Sequence, residues 1–101
     1  MASRLDLQTM LEKLLGSRNV YFNPPMSLKM KYPAIVYSLD NIENTHANNE
    51  VYNQYISYSI ILVDANPDSE LVSKLSRLPK VRFGNHYIAD NLNHWVFTIY
   101  Y

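Results

Sequence analysis

The sequence predicts a single small α+β domain: a mainly antiparallel β-sheet with two α-helices packed on it and a long β-hairpin arm projecting from it. Three observations predict this. Two segments carry apolar residues at helical spacing between capping residues, several others are rich in β-branched and aromatic residues, and a polar stretch over about 40–55 separates two of these. A chain of 101 residues has room for one core. Hydrophobic residues at 48%, charged residues at 18% and a formal net charge of zero fit an ordinary globular domain and exclude disordered or collagen-like classes.

Residues 4–15 form the first helix: Leu7, Met10, Leu11, Leu14 and Leu15 make one apolar stripe, with Asp6, Gln8, Thr9, Glu12 and Lys13 opposite. Ser3 is its N-cap and Gly16 the left-handed residue past its end. Asn19 to Phe22 reads as a loop with a candidate edge strand, stopped by Asn23-Pro24-Pro25, since neither proline donates a ladder bond. A strand starts at Pro33 and runs to Leu39. Asp40 to Asn53, with five asparagines and three acids, reads as a long hairpin connection or arm. Val51 to Val63 forms one strand, its apolar second half in the core and Val51 to Tyr55 extending outward.

Asn66-Pro67-Asp68 starts the second helix, with Asn66 as N-cap and proline at the first helical position. Leu71, Val72, Leu75 and Leu78 face the core, and Pro79 ends it. Val81 to Ile88 and Asn93 to Tyr101 form a closing hairpin with Val81, Phe83, Trp95, Phe97 and Ile99 on the core face. With the turn centred at Asp90, His86 and His94 lie opposite one another on the other face. Two histidines fall short of the three or four ligands zinc requires, so no metal or cofactor is expected.

The chemistry of the chain is sparse. Two glycines leave no phosphate-binding loop, zero cysteines leave no disulfide, thiolate cluster or thiol nucleophile, and no catalytic signature occurs, so no enzymatic activity is expected. No membrane segment and no charged-then-apolar leader is present in the sequence. Charge, however, is segregated: residues 1–35 carry +3, residues 36–70 carry −6 with no Lys or Arg, and residues 71–101 carry +3. Such segregation makes one surface complementary to another on a second copy. Nine tyrosines suit partly wet contact surfaces. The candidate contact residues are therefore the acidic and aromatic set Asp40, Glu43, His46, Glu50, Tyr52 and Tyr55, and the basic set Lys74, Arg77 and Arg82. Specific nucleic-acid binding is not expected, because no basic run exceeds two charges in three residues.

Four strings in order carry a resemblance. They are Lys31-Tyr32-Pro33-Ala34-Ile35-Val36-Tyr37, Asn44-Thr45-His46-Ala47-Asn48-Asn49, Val63-Asp64-Ala65-Asn66-Pro67-Asp68-Ser69-Glu70, and the run from Phe83-Gly84-Asn85-His86 through His94-Trp95-Val96-Phe97 to Tyr101. In these the chain resembles the tail terminator (tail completion, head-to-tail joining) proteins of tailed bacteriophages. The resemblance implies a structural virion protein at the neck, made in the host cytoplasm, that forms a ring, hexameric in that family. The ring caps the tail tube, stops its polymerisation and joins the tail to the head connector. Its partners would be itself, the tail tube protein and the head-tail connector protein, with genome DNA passing through the lumen without specific binding. No active site transfers with it. The alternatives are a head-side neck or connector completion protein, a small metal- or ligand-binding accessory domain with His86 and His94 as its suspects, and a monomeric host adaptor.

Overall fold

The computed structural model describes residues 4–24, 31–47 and 50–100, and side chains within these except at 45–47 and 50–53. The elements are α1 (Arg4–Leu15), β1 (Val20–Phe22), β2 (Ala34–Ala47), β3 (Glu50–Asp64), α2 (Glu70–Ser76), β4 (Val81–Ala89) and β5 (Leu92–Tyr100). The five strands form one sheet in the order β1-β2-β3-β5-β4, antiparallel throughout except that β1 runs parallel to β2. The α+β class predicted from sequence is the class observed.

α1 occupies the predicted residues. Its stripe buries Leu7 and Leu11 completely, and Gly16 beyond its end has φ +80°, the left-handed conformation that lacks a Cβ penalty only in glycine. The predicted N-cap, Ser3, lies outside the described residues. The core forms between the helices and one face of the sheet: Leu7, Leu11 and Leu75 meet Val20, Ile35, Tyr37, Ile60, Leu62, Trp95, Phe97 and Ile99. Alternation along β5 is complete from Leu92 to Ile99, with Asn93, Trp95, Phe97 and Ile99 buried and their neighbours partly exposed.

α1 is tied to the sheet by a polar cluster. Gln8 Nε2 donates to the Val20 carbonyl at 3.0 Å, the Tyr37 hydroxyl donates to Gln8 Oε1, and Arg4 Nη1 donates to that hydroxyl at 3.2 Å while lying 4.5 Å over the Phe22 ring. Burial pushes the Tyr37 hydroxyl pKa above its ordinary value of 10.0, partly opposed by the Arg4 hydrogen bond and charge. A raised folded-state pKa means that the unfolded chain releases this proton first. The Tyr37 contribution is therefore whole below pH ~10 and is lost as pH climbs through the folded value. Urea unfolding of the parent and of Tyr37→Phe at pH 8 and in the alkaline range should show the parent losing more stability with rising pH than the variant. Equal losses would remove Tyr37 from the account.

Three details differ from the sequence reading. The stretch read as a hairpin connection or arm over Asp40 to Asn53 is strand where it is described: β2 continues to Ala47, and β3 begins at Glu50, which pairs with Ala47. The segment is polar because its part of the ladder covers no core, not because it lacks structure. β2 and β3 pair from Ala34↔Val63 out to Ala47↔Glu50, with a bulge at Asp40, whereas β5 covers β3 only from Ser57 to Asp64 and β1 covers β2 only at Ile35 to Tyr37. Outward of Ile42↔Ile56 the two strands pair only with each other among the described residues. The molecule measures 51 × 27 × 24 Å along its principal axes.

α2 starts at Glu70, not at Pro67. Asn66 Oδ1 accepts from the Asp68 N–H in a local turn, and Ser69 is the cap, its Oγ accepting from the Leu71 N–H at 3.4 Å. Two capping-type residues stood three apart, and the one beside the apolar stripe takes the helix.

The closing hairpin turns on Asp90 and Asn91, both at positive φ (52° and 63°), as a two-residue turn of this kind requires. That pairs Ala89 with Leu92, Tyr87 with His94 and His86 with Trp95, until a bulge at Gly84 shifts the register to Phe83↔Phe97, Arg82↔Thr98 and Val81↔Ile99. The opposition of His86 and His94 is thereby overturned. The turn is centred between Asp90 and Asn91, so the two histidines fall on opposite faces.

Candidate functional site

Both helices cover the same face of the sheet, and the opposite face brings the chain's charge extremes together. On β2, the bulge at Asp40 re-aims the residues beyond it so that Glu43 points to the face opposite the helices, where unbroken alternation along β3 from Ile60 already puts its pair partner Tyr55. Asp40 itself accepts from Ser57 Oγ at 3.0 Å and so fastens the bulge to a buried serine. At the other side of the sheet, Lys80 precedes β4 at φ 63°, and its carbonyl accepts from the Tyr100 N–H at 3.1 Å. This places Lys80, Val81, Arg82 and Tyr100 against Glu43 and Tyr55 around a groove of about 500 Å³. The lining is aromatic and aliphatic at its base, with one carboxylate on one bank and two cations on the other.

A second groove of about 530 Å³ lies on the helix face between α2 and β4, lined by Pro67, Val72, Ser76, Phe83, His86, Trp95 and Phe97. His86 packs tilted against Trp95, ring centres 5.3 Å apart, and donates from Nε2 to Asn93 Oδ1 at 3.0 Å, while Asn93 Nδ2 donates to the Ala65 carbonyl at 3.4 Å. His94, on the face opposite the helices, stacks on Tyr87 at 4.7 Å and donates from Nδ1 to the Leu92 carbonyl at 3.0 Å. Each histidine is thus a ring-packed, hydrogen-bonded strand residue. Among the described residues no group of three or more His, Cys, Asp or Glu is placed to hold a metal.

Of the residues singled out from sequence, Glu43, Tyr55 and Arg82 come together in the first groove. Asp40 sits at the bulge on the same ladder. Lys74 and Arg77 do not join them: they are exposed on α2 and just past it, on the helix side. His46 and Glu50 have their backbone paired in the β2–β3 ladder and Tyr52 falls at a register shift within β3; the side chains of all three lie outside the described residues. Sequence reasoning missed Lys80 and Tyr100. Period-two alternation from the buried Phe97 and Ile99 puts Tyr100 on the face opposite the helices, whereas Lys80 enters the groove only through the left-handed turn before β4, which its sequence does not signal.

No helix among the described residues is long and apolar enough to cross a membrane. No known protein family, curated protein or solved structure matches the chain.

Proposed function

We propose that this chain is a structural subunit of a tailed bacteriophage, a tail terminator that forms a ring on the tail tube, ends its growth and presents a docking surface to the head connector. The observation that carries the reading is the β2–β3 ladder. Beyond Ile42↔Ile56 it pairs only with itself among the described residues, and its side chains Ile42, Glu43, Asn44, Gln54 and Tyr55 are exposed. The six pairs from Ile42↔Ile56 to Ala47↔Glu50, none of whose described side chains belongs to the core cluster, gain most when another protein surface meets them, and we read them as an arm. The resemblance of the four strings points the same way.

A ring needs two different patches on each copy, one meeting the other on the next copy, with a rotation that closes. The acidic ladder and the basic start of β4 are two such patches. In this reading the protein performs no chemistry: it measures and joins by shape, and DNA traverses the hole without tight phosphate contact, as a sliding polymer requires. Native mass spectrometry of the purified protein tests the assembly. The expected dominant species is six copies of the 11.8 kDa chain, about 71 kDa, a closed cyclic oligomer. A monomer persisting at high concentration would count against the ring.

A further inference from the structure

Among the described residues the sheet has two unpaired edges. β4 bonds β5 on one side, and no described strand lies along its other side. Every residue from Arg82 to Ile88 is exposed, including Phe83, Tyr87 and Ile88 at 54%, 41% and 68% of full accessibility. Soluble proteins blunt such an edge with lysines, prolines or bulges. Here that stretch holds one charge, no proline and a single bulge, so most of its backbone remains ready to pair. The second edge belongs to β2. From Ser38 to Ala47, β2 pairs with β3 alone, with no described strand along its other side.

The two edges differ in charge. β4 is flanked by Lys80 and carries Arg82, whereas this part of β2 carries Asp40 and Glu43 and contains no Lys or Arg. Their charged side chains also share a face, since Glu43 and Arg82 both point to the side without helices.

We propose that β4 of one copy pairs edge to edge with the outer part of β2 of the next copy, so that the neighbour's hairpin extends the sheet as added strands. This rests on the ring reading above and names the contact that closes the ring. Backbone bonds along the two edges supply much of the attraction, and charge sets the choice of edge. Pairing β4 with β4 would set Arg82 of one copy near Arg82 of the other and end at a dimer. Pairing unlike edges leaves one free edge of each kind at every step, the condition for a ring. With the helix faces continuous, Glu43 of one copy meets Arg82 of the other on the face opposite the helices.

Mixing charge-reversed copies tests this. Arg82→Glu and Glu43→Arg are surface changes, and circular dichroism melting checks that each variant folds. Each alone should need at least roughly tenfold more protein to assemble, because every junction then opposes like charges. A one-to-one mixture should recover parental assembly by alternating the two copies, which a pair within one chain could not do. A mixture no better than its components, or either variant assembling as the parent does, overturns the proposal while leaving the ring intact. A parent that stays monomeric overturns both. Hydrogen exchange adds a second readout: amides of Arg82–Ile88 and Asn41–Asn44 should slow when the parent assembles. If they stay fast in an assembled parent, the edges are left for another protein and the proposal fails.

Discussion

Phe97→Ala should lower the free energy of unfolding by about 3–5 kcal/mol, a large share of the ~5–15 kcal/mol that holds a domain of this kind together. The site explains the size of the effect. Phe97 is fully buried at the centre of β5, opposite Ile60 on β3 and Phe83 on β4, with its ring edge-on to that of Phe83 at 5.5 Å. Truncation removes the transfer energy of the ring and leaves a cavity between α2 and the sheet that neighbouring strands, fixed on both sides, cannot close. Urea denaturation followed by tryptophan fluorescence measures it through Trp95, on the same face two residues away. The control is Phe83→Ala, whose ring is about half exposed; it should cost clearly less. A Phe97→Ala effect under about 1 kcal/mol would mean that the core is not centred where the structure puts it.

Removal of the outer ladder should have the opposite profile, with a small effect on folding and a large one on assembly. Replacing residues 42–56 by Asn-Gly joins Asn41 to Ser57, which already face each other, through a two-residue hairpin turn. Both strands must be removed together, because deleting 41–49 alone would leave Glu50 to Ile56 without their partner. None of the described side chains in 42–56 belongs to the core cluster, and Ser57 keeps its bond to Asp40. The expected change in monomer stability is within about 1 kcal/mol, whereas the oligomer should disappear from native mass spectra. An oligomer that survives the replacement would assign assembly to another surface.

What could be read from sequence followed the burial. α1, the buried half of β3 and the alternation of β5 were legible because each presents a continuous apolar face to one core, and Gly16 marks its helix end without ambiguity. In the outer ladder the β3 half was read as strand from Val51, whereas the β2 half beyond Leu39 was not legible as strand. Alternation records burial, and Asn41 to Asn44 are exposed on both faces. The bulges at Asp40 and Gly84 were equally silent. Each re-aims the residues beyond it on its own strand, so the first brought Glu43 to the face opposite the helices, beside Tyr55, and the second separated His86 from His94. The charge segregation did single out Glu43 and Arg82, but their shared groove depends on those registers and on the turn at Lys80. The parallel pairing of β1 has no signal in three residues whose register is set by Gln8, through the Val20 carbonyl, and by the Asn19 carbonyl accepting from the Ile35 N–H.

Electron microscopy of the purified protein, unaided by any other component, measures the central claim most directly. The account predicts annular particles with an open centre and a repeat of unlike contacts around the rim. Small, solid, single-chain particles at every concentration would contradict it.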